Sequence, residues 1–134
     1  MNDSLKFVVP GKPEFIGPVR IAVAALASEM GFDVEAVEDI KLAVSEACSK
    51  AICPGTAGLG LYEVTCEVAP DKMTITVLDR EGGCHLACWE DTCVECNKQE
   101  GLGLTVLKAL MDCVSVYEEE HVGTGVRMCK NLHR

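Results

Sequence analysis

One segment constrains the fold more than any other: DVEAVEDIKLAVSEACSKAI, at 33–52. Its apolar side chains recur every three or four residues and so share one face of an α-helix that must be buried: Val37, Ile40, Val44, Ala47 and Ala51. Glu46 and Lys50 stand beside this face, one helical turn apart, where their side chains can form an ion pair. Asp33 is placed to cap the helix, and Gly31 suits the C-terminal cap of the helix before it. The segment predicts a core helix with a polar pair near its C-terminal end.

The remaining periodicity and turn residues divide the chain into further elements. Helices are predicted over 13–30 and 105–112, and strands over 4–9, 59–68, 72–78, 114–118 and 125–130. Strands outnumber helices and short turns join them, which favours a mixed, mostly antiparallel sheet with its helices on one face. We therefore predict an α+β fold, a two-layer α/β sandwich, in a single domain over 1–134.

Charge and hydropathy narrow the range of partners. The chain carries 21 acidic and 12 basic residues, a formal charge of -9, which repels nucleic-acid backbones and anionic lipids. The N-terminus lacks the features of a secretion signal, and no segment has the roughly 20 consecutive apolar residues of a membrane span. We expect a cytoplasmic protein that binds neither nucleic acid nor membrane.

Cysteine is abundant, with nine residues, and the odd number in a chain without a secretion signal argues against a disulfide framework. Four cysteines lie within helix or strand patterns and are predicted to be core thiols: Cys48, Cys66, Cys113 and Cys129.

Four other cysteines fall in an irregular segment over 84–100, which we call the cysteine segment and expect to act as a lid: Cys84, Cys88, Cys93 and Cys96. Four thiols suit tetrahedral zinc or an iron-sulfur cluster. The alternative is that they are incidental small apolar residues. The spacing leaves both interpretations open.

Three local patterns share a chemical logic. Glu46 stands on the core helix, Asp79 ends a predicted strand before two glycines, and Gly101-Leu102-Gly103 precedes a predicted helix. A glycine-rich turn lets backbone approach a phosphate, and the helix N-terminus beyond it supplies free N–H groups. A carboxylate at a strand end can accept a hydrogen bond from an exocyclic amine such as that of adenine. The patterns together favour a nucleotide site.

The sequence resembles the anti-sigma-factor serine kinases of bacteria, the RsbW and SpoIIAB type, in the GHKL superfamily of histidine-kinase-like ATPases with the Bergerat fold. The matching motifs cover nearly the whole chain in the same order: 9–32, 38–52, 77–83, 101–116 and 123–128. The resemblance implies a protein that binds ATP with magnesium, forms a homodimer, sequesters a sigma factor and phosphorylates an anti-sigma-factor antagonist.

The resemblance also implies roles for individual residues. Glu46 corresponds to the general base of the family, and Asp79 to the residue that contacts the adenine amino group. The other implied nucleotide-site residues lie in the matching motifs: Lys50, Gly83, Gly101, Gly103 and Thr124.

Two positions depart from the family pattern. Lys50 stands where the family motif E-x-x-x-N has its magnesium-binding asparagine, and a protonated lysine has no lone pair for a metal. Its ammonium group either meets a phosphate directly or pairs with Glu46 and neutralises the base. Glu81 occupies the first glycine position of D-x-G-x-G, which places a charge where the nucleotide would approach. Serine kinase activity is therefore a separate question from ATP binding.

Three hypotheses follow. The first is a regulatory protein of the anti-sigma-factor type that binds a protein partner and ATP. The second is a catalytically inactive sensor whose cysteine segment binds zinc or an iron-sulfur cluster. The third is a plain dimeric interaction module with neither ligand.

Overall fold

The computed structural model describes residues 3–52, 60–79, 103–119 and 123–133. The elements run in the predicted order: β1 (Asp3–Pro10), a short 3-10 helix (Pro13–Phe15), α1 (Ile16–Met30), α2 (Val34–Ala51), β2 (Leu61–Ala69), β3 (Lys72–Asp79), α3 (Gly103–Leu110), β4 (Cys113–Glu119) and β5 (Gly123–Asn131). The cysteine segment lies outside the described residues. No helix within the described ranges has the length and apolar character needed to cross a membrane.

The five strands form one sheet in the order β1-β2-β3-β5-β4, and every neighbouring pair is antiparallel. Burial alternates along β2, where Tyr62, Val64 and Cys66 are buried while the intervening residues are more exposed. One face of the sheet therefore packs against helices and the other is more open to solvent. The predicted α+β fold is confirmed, and among the described strands the sheet is antiparallel throughout.

The core lies between the inner sheet face and α2. Val64, Val77 and Val126 are neighbours across three adjacent strands and are fully buried. From α2, Ile40, Val44 and Ala47 are equally buried, as the apolar stripe predicts. α1 packs beside α2 and adds three more buried side chains: Val19, Val23 and Ala27.

The link between α1 and α2 follows from two local signals. Gly31 has a φ of 103°, a left-handed conformation that favours glycine, and its N–H donates to the carbonyls of Ala27 and Ser28. Asp33 then caps α2, because its Oδ1 accepts a hydrogen bond from the Ala36 N–H at 2.8 Å. Both caps were predicted from the sequence, and the short link places the two helices side by side.

α3 begins and ends two residues earlier than predicted. Asp112, expected to be the last helical residue, instead lies in the link to β4. Its N–H donates to the Cys129 carbonyl at 2.9 Å, and its Oδ2 accepts from the Asn131 N–H at 2.6 Å. These bonds to β5 are made outside the helix, so tertiary contacts set this boundary.

The prediction of core thiols is right for Cys48 and Cys66, which are free and buried, and wrong for Cys113 and Cys129, which form a disulfide. The last two residues are direct partners in the β4–β5 ladder, with Cα atoms 5.2 Å apart. Both fall on the strand positions that face away from the helices, since alternate residues of β5 such as Met128 face the core. Strand register, which periodicity alone did not reveal, brings the two sulfurs together.

Candidate functional site

Three polar side chains form a row at one end of the inner sheet face. Tyr62, Asp79 and Thr124 are successive partners across β2, β3 and β5. Asp79 and Thr124 are each only 6% exposed and Tyr62 only 1%. The next inward-facing row along these strands is entirely valine. Polar groups buried together at the edge of an aliphatic face are suited to recognise a polar ligand that enters from that edge.

The last turns of α2 lie over this polar row. The buried Tyr62 hydroxyl lies close enough to the Cys48 thiol for each to affect the pKa of the other, so this part of α2 lies above the Tyr62 end of the row. Cys48 stands between Glu46 and Lys50 in the sequence. Glu46 is half-buried and Lys50 is 6% exposed, so the predicted polar pair does not lie in open water.

The direction of α3 adds a helix N-terminus to the same end of the fold. The Lys130 ammonium donates to the carbonyl of Leu110, which anchors the C-terminal end of α3 beside the last residues of β5. Gly103, the first residue of α3, therefore lies at the end of the helix that is directed toward the start of β5. The first N–H groups of a helix have no intrahelical partner and carry the positive end of its dipole.

The structure brings five predicted site residues to one end of the fold. Glu46 and Lys50 come from α2, Asp79 from the end of β3, Gly103 from the start of α3 and Thr124 from the start of β5. Gly83, Gly101 and the four predicted metal ligands lie outside the described residues: Cys84, Cys88, Cys93 and Cys96. In the part of the chain that is described, no group of three or more His, Cys, Asp or Glu side chains could hold a metal ion.

Burial keeps the groups beneath α2 protonated. It raises the pKa of the Cys48 thiol to about 12, and the nearby Cys66 thiol adds to that shift. The pKa of Cys66 also rises to about 12 by burial, and burial together with Cys48 raises that of Tyr62. A thiol with so high a pKa is a poor nucleophile. These groups are therefore buried, protonated side chains beneath α2.

Tyr62 is a member of the polar row that the sequence analysis missed. The signal was available in the hairpin between β2 and β3, whose turn lies at Pro70 and Asp71. Counting pairs back from Ala69 and Lys72 places Tyr62 opposite Asp79.

A second polar cluster lies at the opposite end of α2, and no pattern in the sequence predicted it. The Lys130 ammonium lies 3.3 Å from Asp39 Oδ2 and also bonds the Leu110 carbonyl, so it joins β5, α2 and α3. The three residues are far apart in the sequence. This cluster links both helices to β5 at the end of α2 away from Glu46 and Lys50.

Comparison with known proteins gives the family. Residues 9–130 match the histidine kinase-like ATPase domain. The serine-protein kinase RsbW of Bacillus pumilus is 33% identical over 144 residues, covering 98% of this chain and 88% of that protein. RsbW of Halalkalibacterium halodurans is 32% identical over 98% of this chain and 85% of its own length. RsbW of Listeria monocytogenes is also 32% identical, over 99% of this chain and 90% of its own length. The chain belongs to the RsbW family of histidine kinase-like ATPase domains.

Proposed function

We propose that this chain is an ATP-binding regulatory protein of the RsbW kind, which binds a sigma factor and an anti-sigma-factor antagonist. The observation that carries the proposal is the pairing of a buried carboxylate, Asp79, with a buried hydroxyl, Thr124, at the end of the sheet toward which the N-terminus of α3 is directed. A purely structural core has no need of these groups in one place.

Asp79 and Thr124 fit the adenine end of a nucleotide. An ionised carboxylate accepts hydrogen bonds only, so Asp79 favours the exocyclic amine of adenine over the carbonyl that guanine has at the same position. The Thr124 hydroxyl both donates and accepts, and it lies on the neighbouring strand position. Their burial strengthens this selection, because a mismatched base would leave a buried polar group without a partner.

Glu46, Lys50 and the start of α3 fit the phosphate end. When bound, ATP supplies the phosphoryl group for transfer to a serine hydroxyl. The free N–H groups at the start of α3 would hold phosphate oxygens, and Glu46 would accept the hydroxyl proton as general base. The Lys50 ammonium would either bind a phosphate or pair with Glu46. If Lys50 binds a phosphate, Glu46 stays available as a base. If Lys50 pairs with Glu46, phosphoryl transfer is suppressed while ATP still binds.

Calorimetric titration of the full chain with ATP tests the nucleotide proposal. We expect saturable binding, weaker binding of GTP, and at least a tenfold loss of ATP affinity in Asp79→Asn, since a hydrogen bond to a charged group contributes about 1.5–3 kcal/mol. Glu46→Gln is the matched control, because it should keep ATP affinity while abolishing any serine phosphorylation. Absence of saturable binding by the folded chain would remove the proposal.

The cysteine segment keeps its own prediction of a zinc or iron-sulfur site. Support comes from the spacing of its four thiols alone. Elemental analysis and an absorption spectrum of protein prepared without oxygen decide it. A colourless, metal-free chain with full partner affinity would leave the cysteines as small apolar residues.

For the protein partners, we infer binding of a sigma factor in the cytoplasm, where such a partner acts. Surface plasmon resonance with the sigma factors and small antagonist proteins of the source organism tests this inference. Saturable binding to one of them supports it. Failure of every sigma factor to bind would favour the plain interaction module.

The predicted homodimer is supported by the free edge of β1. β1 pairs only with β2 among the described strands, so its other side presents backbone groups that no other described strand pairs with. An open apolar groove of about 350 Å³ lies between this strand and α1, lined by Phe7, Val8, Val9, Pro10, Phe15, Pro18, Val19 and Ala22. Antiparallel pairing of two β1 strands about a two-fold axis would cover the same patch on both copies. We therefore propose that a second copy of the chain occupies this face.

Light scattering after size-exclusion chromatography measures the state of assembly. Val8 is 60% exposed, so Val8→Lys should convert a dimer to a monomer without harming the core. Val34, 79% exposed at the start of α2, gives the control Val34→Lys, which should remain dimeric. A monomeric wild-type chain at tens of micromolar would contradict the dimer.

A further inference from the structure

The outer face of the sheet carries a covalent link that the proposed nucleotide chemistry does not use. The disulfide joins Cys113, the first residue of β4, to Cys129, its direct partner on β5. β4 is an edge strand that pairs with β5 alone among the described strands. The disulfide therefore joins the edge strand covalently to the neighbouring inner strand.

The two cysteines of this link differ in exposure. Cys113 is exposed, whereas Cys129 is only 8% exposed. Thiol–disulfide exchange requires a thiolate to reach one sulfur of the bond, and accessible disulfides are the ones that exchange readily. The exposed side chain of Cys113 makes its sulfur the point of attack, and Cys129 the leaving thiolate.

The link also fixes the junction between α3 and β4. The connection between these elements is only two residues long, Met111 and Asp112. Asp112 makes two hydrogen bonds with β5, one to the carbonyl of Cys129 and one from the N–H of Asn131. In contrast, β4 makes few contacts with the helices. Opening the disulfide removes the covalent part of this attachment and leaves the hydrogen bonds to hold it.

We propose that Cys113 and Cys129 form a reversible redox site, opened by a dithiol reductant of the thioredoxin class and closed by a disulfide oxidant such as oxidised glutathione. A thiolate of the reductant attacks Cys113 Sγ, breaks the S–S bond and releases the Cys129 thiolate. The second thiolate of the reductant attacks the mixed disulfide, releases the Cys113 thiolate and leaves the reductant as a disulfide. Two electrons pass to the protein, and both released thiolates take up protons from water.

The two states of this site differ in how firmly β4 and α3 are held. In the oxidised state the short loop between the two cysteines, 16 positions apart, is closed by a covalent bond. In the reduced state the edge strand frays more readily, because only its ladder with β5 and the junction bonds remain. α3 follows, since its C-terminal end shares that junction. This inference does not depend on nucleotide binding.

The test uses the full chain equilibrated in dithiothreitol or glutathione buffers, followed by alkylation and peptide mass spectrometry. We expect a linked 113–129 peptide under oxidising conditions and two alkylated cysteines after reduction without denaturant. The thermal midpoint should be lower by roughly 5–10 °C in the reduced form. Hydrogen exchange should be faster over 103–110 and 113–119.

Two controls separate the redox site from the other thiols. The double variant Cys113→Ser/Cys129→Ser should have the same thermal midpoint in the oxidising and the reducing buffer. Cys48 and Cys66 should resist alkylation in both buffers until the chain is unfolded, which reports that the fold is intact. Three outcomes would each overturn the proposal. Cys113 and Cys129 could remain free in oxidising buffer, or the disulfide could stay closed in excess dithiol. The third outcome is an equal rate of hydrogen exchange in the two states.

Discussion

At the scale of single residues, Lys50 is the side chain on which the magnesium dependence of phosphate binding at the candidate site should depend. It is 6% exposed in the last turn of α2, beside the half-buried Glu46. If its ammonium group meets a phosphate, wild-type ATP affinity should be nearly the same with magnesium and with a chelator. Lys50→Asn should then lose about tenfold or more in the chelator and regain affinity with magnesium. Calorimetric titration under both conditions measures this.

Lys50→Met is the control for that experiment, since it removes the charge, keeps most of the length of the side chain and offers magnesium no oxygen ligand. It should weaken ATP binding with or without magnesium. The alternative arrangement, an ion pair with Glu46, predicts that neither substitution lowers affinity in the chelator. Equal affinities for all three proteins would thus reject the phosphate contact.

Gly125 is a residue whose lack of a side chain serves packing. A Cβ at this position would lie 3.0 Å from Cζ and the hydroxyl oxygen of Tyr117 and from the Val77 carbonyl oxygen. The Tyr117 ring, with the Arg127 guanidinium 5.3 Å from its centroid, covers the glycine on the outer face. Gly125→Ala should lower the free energy of unfolding by about 1–3 kcal/mol, as overpacking does. Gly17→Ala, with nothing within 4 Å, should not lower it. Urea unfolding compares them, and equal losses would contradict this account.

At the scale of elements, α2 depends on its N-cap. Asp33→Ala removes the acceptor for the Ala36 N–H and should cost about 1 kcal/mol in the free energy of unfolding. Asp33→Ser keeps an oxygen acceptor and is the matched control. Chemical denaturation measures both variants. A loss in the serine variant as large as in the alanine variant would show that the charge, and not the cap, is responsible.

At the scale of the whole molecule, the buried thiols make stability depend on alkaline pH. The pKa of Cys48 and Cys66 rises on folding from 9.0 to about 12, so between these values the folded chain holds protons that the unfolded chain loses. The free energy of unfolding therefore falls as pH rises above 9, by up to about 1.4 kcal/mol per pH unit for each thiol. Below pH 9 their contribution is constant.

Urea unfolding at pH 8, 9, 10 and 10.5 measures this dependence. Cys66→Ala should show a shallower decline than wild type above pH 9, whatever its stability at pH 8. The difference between the two curves isolates one thiol from lysines and tyrosines that titrate in the same range. Parallel curves would contradict a raised pKa at Cys66.

Much of the fold could be predicted because its signals are local. The stripe on α2, the Asp33 and Gly31 caps and the hairpin turn at Pro70 and Asp71 each act within a few residues. Predictions failed where a distant contact overrides a local pattern. Asp112 leaves the helix pattern to bond β5, and Cys113 shares a strand pattern with core residues yet faces outward to meet Cys129.

The sequence by itself determined the order of elements, the buried face of α2 and the identity of the residues from which a nucleotide site is proposed. Only the tertiary structure decided that Asp79, Tyr62 and Thr124 form one buried row, and that Lys50 has little exposure. The reason is physical. Periodicity records which side of an element is apolar, whereas a site is made by strand register and helix direction, and these depend on contacts such as Lys130 with Asp39 across 91 residues of sequence.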